Sequence, residues 1–367
     1  MPQHAARLLT PSAVLCCAVF QTLGAPTPDF APAIHLARQA THTLIDRGGV
    51  PGVQIAVAYD GEVVWSEGFG FADIELGSPV TTQTRFGIGS ITKSLTMSAA
   101  AAMAEEASLD LDAPIEQYVD EFPYPGRGVT IRQIATHTSG LSDDLASARR
   151  FTTEHYSTIT DAYAVLRAER LLHEPGTVQA YATGTFTLIG LAMERAAETS
   201  FDTIIRNRVI EPAGMTATAP LNPAVITPHR TRFYEQDEAG AIVNAPTYDP
   251  SYKRPGAGYL STAEDLVRFG SALLDGKLLK PQTVDKLWAP DADADADSGY
   301  ALGFRVDHDD EARMVVHQPG GGVGISCWLV IYPNENLVFA VLTNMSRAPV
   351  MAAEFGTVQD AFLDASH

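Results

Sequence analysis

Apolar positions recur at helical spacing over residues 30–47, and Gly48-Gly49 end the pattern. Two strand-like runs follow, VQIAVAY (53–59) and EVVWSEGFGF (62–71), separated by Asp60-Gly61. An Asp-Gly pair between apolar runs predicts a tight hairpin, because that turn needs positive φ. SLTMSAAAAMAEEASLDL (94–111) predicts a helix buried on most sides, since its alanines favour helix and let neighbours approach closely. From about 110 to 290 the pattern is mostly helical, cut by long loops. TIRQIATHTSGL predicts a short helix ending at Gly140, and TFTLIGLAMERAAETS and SFDTIIRNRVIEPAG predict two more. TAEDLVRFGSALLDG and KPQTVDKLWAP continue the style, with Pro281 in a first-turn position.

Strand patterns return in GYALGFRVD, ARMVVHQ, ISCWLVIYP and LVFAVLTNM, with a turn at 332–336, before a closing helix in VMAAEFGTVQDAFL. Strands at both ends and helices between them predict an α+β fold. One antiparallel sheet is built from both chain ends and flanked by helices, with a mostly helical lobe inserted. The expected division is an α/β lobe of 26–88 and 300–367, a helical lobe of 89–299, and a cleft between them as the default site.

Composition narrows the partners. The chain of 367 residues carries 44 acids against 25 bases, a formal charge of −19. That balance repels nucleic-acid phosphates and anionic lipid, so neither is expected as a partner. Residues 1–25 differ from the rest: MPQHAAR, then apolar LLTPSAVLCCAVF, then QTLGAPTP. This reads as a secretory signal peptide cleaved near Ala25, hence a secreted or periplasmic protein, and the run is too short and broken for a stable membrane span. Cys16 and Cys17 fall in that segment, so the mature chain would keep Cys327 alone, a buried inert thiol in an apolar run. DADADADS (291–298) lacks the glycine and glutamate of a calcium loop and reads as a solvated surface loop.

The stretch GIGSITKSLTM (87–97) carries the chemistry. Ser90 and Lys93 stand three apart, so a helix presents both on one face. Ser90 would lie at the helix N-terminus, where free N–H groups favour a developing alkoxide. A buried Lys93 could act as a neutral base. The bland alternative is a helix cap followed by a surface lysine. Lys93 is, however, the first of only five lysines and leads an alanine-rich helix with few solvating groups. The chain has no Gly-x-Ser-x-Gly elbow, no His-Glu-x-x-His, no Walker loop and no dinucleotide fingerprint. No metal or cofactor is expected.

Ser90-Ile-Thr-Lys93, then Tyr181-Ala-Thr183, then the glycine run 320–324 occur in an order that resembles the serine β-lactamase-like and penicillin-binding-type serine hydrolases. The likeness extends over about 50–346 and points to the mitochondrial β-lactamase-like branch and its bacterial relatives. It rests further on LDLDAPIEQYVDEFP, THTSGL, RFYEQDEAGAIVN and GYLSTAEDLVRFG. The resemblance implies that Ser90 accepts the acyl group, Lys93 takes its proton, and Tyr181 relays protons to the leaving group. Two departures stand out. Thr183 occupies the position of an asparagine amide. The third element, normally Lys or His, then Thr, then Gly, reads VVHQPGGGVG. One register puts Gln318 in the basic position with Gly320 third; the other starts from His317. In either, an N–H of Gly320 or Gly321 could join that of Ser90 in an oxyanion hole. His137 reads as a satisfied structural histidine. Lys253 and Arg254 read either as binders of a substrate carboxylate or as a solvated pair. The expected activity is hydrolysis of an amide or ester through an acyl-enzyme, with peptides ahead of small esters and β-lactams last. The rival is a non-catalytic scaffold that keeps the fold and self-associates into homo-oligomers or filaments.

Overall fold

A computed structural model describes residues 28–290, 299–351 and 353–366. The expected signal segment 1–25 and the aspartate-rich 291–298 lie outside the described residues. Helix α1 (Ala31–Gly48) stops where Gly49 turns left-handed at φ 61°. Strands β1 (Gly52–Tyr59) and β2 (Glu62–Asp73) form the hairpin the sequence predicts. Asp60 and Gly61 both take positive φ, 47° and 80°, and that turn matches the natural twist of the flanking strands. Strands β3 (Ser78–Pro79) and β4 (Phe86–Gly87) lead into α2 (Ile91–Glu105).

The middle of the chain carries α3 (Ile131–Ala135), α4 (Asp144–Ala148), α5 (Ile159–Leu166), α6 (Phe186–Ala197) and α7 (Phe201–Ile205). Short strands β5 (Ala219–Pro220), β6 (Tyr234–Gln236), β7 (Ile242–Asn244) and β8 (Tyr259–Ser261) follow, with α8 (Arg254–Ala257) between the last two. Then come α9 (Ala263–Leu274), α10 (Pro281–Leu287), β9 (Arg305–His308), β10 (Met314–Gly322), β11 (Ile325–Tyr332), β12 (Leu337–Thr343) and α11 (Ala353–Ala365).

Seven strands form one antiparallel sheet in the order β3-β2-β1-β12-β11-β10-β9. Both chain ends therefore supply it, and β1 and β12 lie side by side at its centre. The two-residue strand period sorts the core. Val53, Ile55, Val57, Phe339 and Val341 face α1 and α11, where Phe355, Val358 and Phe362 close one hydrophobic layer. Ala56, Ala58, Val338, Ala340 and Leu342 face the opposite layer with Leu266, Phe269 and Leu273 of α9. The small residues on this side let α9 approach closely: a Cβ on its Gly270 would lie 2.6 Å from Val338 Cγ1.

That packing shifts the expected lobe division, because α9 falls within 89–299 by position yet lies against β1 and β12. Its apolar stripe finds its complement on the sheet. The helix expected to end at Gly140 stops at Ala135, where Thr130 and Gln133 form a reciprocal capping box at its start and the chain leaves helical geometry at Thr136. Of GYALGFRVD (299–307) only the last three residues lie in a strand, β9, which runs over Arg305–His308. Among the described residues no helix is long and apolar enough to cross a membrane.

Candidate active site

Helix α2 is the axis of the site. It is buried on nearly every side, as the alanine run requires, and packs against α6, α7, α8, α10, β10 and β11. Ser90 stands at its N-cap with φ −67° and ψ −8°, and its side chain caps nothing. The hydroxyl is instead held by two other groups: Lys93 Nζ at 3.0 Å and the Tyr181 hydroxyl at 2.7 Å. The capping alternative is therefore excluded by geometry.

Lys93 is 1% exposed and forms no ion pair with a carboxylate among the described residues. Its Nζ lies 3.0 Å from Ser90 Oγ, 3.2 Å from Thr183 Oγ1 and 3.1 Å from the Gly256 carbonyl. The ring of Tyr181 lies 4.8 Å from the nitrogen and that of Phe186 5.2 Å, adding cation–π contact. The carbonyl can only accept, whereas the two hydroxyls donate or accept. An ammonium donates to all three oxygens. A neutral amine donates to Gly256 and Thr183 and accepts from Ser90. The same cage thus satisfies both protonation states.

Tyr181 is 45% exposed as a whole, but its hydroxyl turns inward to Ser90. Burial raises the phenol pKa; the charge of Lys93 and hydrogen bonds with Lys93, Ser90 and Thr183 outweigh it and lower the net value. Behind the ring stands His137, its centroid 4.3 Å away. His137 Nδ1 accepts the N–H of Ala182 at 3.3 Å, and the residue holds φ 63°. Burial, then the Lys93 charge, push its pKa well below the ordinary 6.5, so it is neutral. It is a packed histidine that sets the Tyr181 loop, as the residues suggested.

The third element borders the cleft through its backbone. Gly89 takes φ 49°, and a Cβ there would lie 2.7 Å from both N and O of Gly321. A Cβ on Gly320 would strike the Ile88 carbonyl and the Cys327 sulfur. Glycine at 89 and 320 lets β10 press against the Ser90 turn, whereas a Cβ on Gly321 would meet nothing within 4 Å. Cys327 is buried, its thiol donating to the Ile88 carbonyl at 3.1 Å, and burial drives its pKa up. Pro319, Gly320 and Gly321 line a cleft of about 690 Å³ with Ser90, Tyr181, Thr183, Ser326, Cys327 and the 348–351 segment.

His317 and Gln318 are absent from that lining. His317 Nδ1 accepts from Trp328 Nε1 at 3.1 Å and its Nε2 faces Asp307 at 2.7 Å. Gln318 Nε2 donates to the Pro319 carbonyl at 3.0 Å. Neither register therefore brings a basic side chain to Ser90. Strand hydrogen bonding points the backbone, and not these two side chains, at the cleft.

Arg254 is buried and paired with Asp202 at 2.8 Å, so it is not solvated. Lys253 is half-buried, with its Nζ 5.2 Å from the Tyr252 ring and no carboxylate in ion-pair contact among the described residues. Burial and the like charge of Lys93 lower its pKa to about 8. The sequence reading missed Gly256, whose only signal is Gly-Ala-Gly at 256–258. Among the described residues no three potential metal ligands converge.

A cleft holding a hydrogen-bonded serine, lysine and tyrosine between an antiparallel sheet and a helical region has the arrangement of a serine hydrolase. Residues 37–360 match the family model described as Beta-lactamase, and the chain belongs to that family. It is 27% identical to the human serine beta-lactamase-like protein LACTB, mitochondrial, over 83% of this chain and 73% of that protein. The octameric penicillin-binding protein homologue from Pyrococcus abyssi superposes with a TM-score of 0.76 at 23% identity, covering 89% of this chain and 76% of the other. The D-amino acid amidase from Ochrobactrum anthropi SV3, solved with L-phenylalanine amide, gives a TM-score of 0.77 at 20% identity, covering 91% and 97%.

Proposed function

We propose that this serine hydrolase cleaves an amide or ester by forming an acyl-enzyme on Ser90. The observation that carries the reading is the shared hydroxyl of Ser90, 3.0 Å from Lys93 Nζ and 2.7 Å from Tyr181 Oη. Ser90 Oγ attacks the carbonyl carbon while its proton passes to Lys93. The N–H groups of Ser90 and Gly321 receive the oxyanion. Tyr181 carries a proton to the departing nitrogen or oxygen, and that bond breaks. Water then repeats the sequence on the acyl-enzyme and releases the acid.

The cleft wall supports a substrate that is neutral beside the reacting carbonyl. Pro319, Ala348, Pro349, Val350 and Met351 line it, with no charged side chain among the lining residues. Peptides blocked at the carboxyl end, amino-acid amides and small esters fit this better than substrates needing a carboxylate anchor, β-lactams included. The amidase neighbour is consistent with the same preference. The apolar 1–25 segment supports export, which N-terminal mass analysis of the secreted protein would check.

The test is intact mass after fluorophosphonate treatment of the wild type and of Ser90→Ala. One phosphonyl group on the first and none on the second is expected. No adduct on folded wild type would favour the scaffold reading, for which the octameric relative offers a precedent of assembly. An adduct persisting in Ser90→Ala would move the nucleophile elsewhere.

A further inference from the structure

Asp143 stands at the N-cap of α4, where an aspartate ordinarily accepts the N–H of the second or third helical residue. Here its side chain makes no such bond. The buried Glu169 takes over that duty: its Oε1 accepts Leu145 N at 2.7 Å and Ala146 N at 2.9 Å. The Asp143 carboxylate is thereby released to another segment, and its Oδ1 accepts Gly184 N at 2.7 Å. Glycine at 184 permits the approach, since a Cβ there would lie 2.5 Å from Ala146 Cβ and 3.1 Å from Asp143 Oδ1.

This bond completes a pattern. Alternate amides of residues 180–184 donate to the 137–143 stretch. Ala180 N meets the His137 carbonyl at 2.8 Å, Ala182 N meets His137 Nδ1 at 3.3 Å, and Gly184 N meets Asp143. The residues between them, Tyr181 and Thr183, carry the hydroxyls that meet Ser90 Oγ at 2.7 Å and Lys93 Nζ at 3.2 Å. Thr183 is also pressed against α8, where a Cβ on Gly256 would lie 2.5 Å from the Thr183 carbonyl. His137 thus fixes the start of this loop and Asp143 fixes its end.

We propose that Asp143 is a positioning residue for the Ser90 site: its hydrogen bond to Gly184 N holds Thr183 and Tyr181 at bonding distance from Lys93 and Ser90. The role rests on the acyl-enzyme reading given above. It explains why α4 is capped by a glutamate 24 residues further along the chain and not by its own N-cap aspartate. A displacement of about 1 Å in such a loop can slow the chemistry by about 10²-fold.

The test is the rate of fluorophosphonate labelling at Ser90, together with ultraviolet titration of Tyr181, in wild type, Asp143→Ala, Asp143→Asn and Asp143→Ser. Lys253 and Lys93 also act on the Asp143 charge. Asparagine keeps an oxygen for Gly184 N but carries no charge, so it separates the bond from the charge. Asp143→Ala should label about tenfold more slowly or worse, and its Tyr181 should titrate closer to the ordinary value of 10. Asp143→Asn should restore both the rate and the titration to near wild type. Serine is a good N-cap residue, so Asp143→Ser should fold even if Asp143→Ala does not. Its hydroxyl is too short to reach Gly184, and it should behave as Asp143→Ala. Wild-type labelling in the alanine or serine variant would overturn the proposal, and so would an asparagine variant as slow as either. If the wild type takes no adduct, the acyl-enzyme reading fails and the Tyr181 titration alone decides. A value unmoved in Asp143→Ala or Asp143→Ser then removes the positioning role.

Discussion

Ser90, Lys93 and Tyr181 share one hydrogen-bonded cluster, and the proton-transfer role proposed for it gives measurable signatures. In the proposed mechanism Lys93→Met removes the group that takes the Ser90 proton, so hydrolysis should fall by about 10²–10⁴. The Tyr181 pKa is lowered because the Lys93 charge and the local hydrogen bonds outweigh burial. Ultraviolet titration should therefore show a tyrosine ionising below the ordinary value of 10 that disappears in Tyr181→Phe. In Lys93→Met the same tyrosine should titrate higher. An unchanged value would remove Lys93 as the cause. Lys253 gives a stability signature. Its folded pKa, about 8, lies below the ordinary 10.5, so between those pH values the unfolded chain binds more protons and stability rises with pH. Lys253→Met should thus be more stable than wild type at pH 7, with the gain shrinking toward pH 10.5. Denaturant midpoints at several pH values measure it, and a constant difference would contradict the shift. Ser90 and Lys93 were legible from their spacing together with the scarcity of lysine, the alanine-rich helix that follows and the family resemblance. Gly256 was not, because a carbonyl that any residue could supply leaves no side-chain signal.

At the scale of elements, a few residues decide how the pieces meet. Gln54 interrupts the apolar run of β1 and is fully buried. Its Nε2 donates to the Thr81 and Thr84 carbonyls at 2.6 and 3.2 Å, and its Oε1 accepts the N–H of Ala263 at 2.6 Å. One amide thus ties the sheet to the loop before β4 and to the start of α9. Gln54→Leu would leave these groups unpaired, at about 1–3 kcal/mol for each buried one, and should lower the denaturant midpoint markedly. Gly89→Ala combines a left-handed φ with a clash against Gly321, so a loss of about 1–3 kcal/mol is expected, together with slower fluorophosphonate labelling. Labelling at the wild-type rate would show that the β10 contact does not shape the site. The hairpin, α1, α2 and the last strands followed from periodicity and turn residues. The early end of α3 did not, although Thr136 to Gly140 are poorer helix formers than the residues before them; the exact stop is set where His137 turns to φ 63° and tertiary contacts claim the backbone. The Ala180 N–H, for example, donates to the His137 carbonyl.

For the molecule as a whole, the acidic surface carries a formal charge of −19, and self-repulsion opposes the compact state. Raising sodium chloride from about 10 mM to about 150 mM shortens the Debye length to about 8 Å, so calorimetry should show a higher Tm. A fall would mean that surface ion pairs outweigh the repulsion. The sequence by itself determined the α+β class, the strands at both chain ends and the serine–lysine pair. These rest on local period, turn chemistry and spacing within one helix. Only the tertiary structure decided that β1 and β12 are neighbours, that α9 belongs against the sheet, and that His317 and Gln318 turn away from the cleft. It also decided that Tyr181, Thr183 and Gly256 converge on Lys93 from positions about 90 and 160 residues away. The physical reason is that such contacts depend on which faces pack together. Side-chain direction on a strand reverses with every residue, so a one-residue difference in register sends a side chain to the opposite layer.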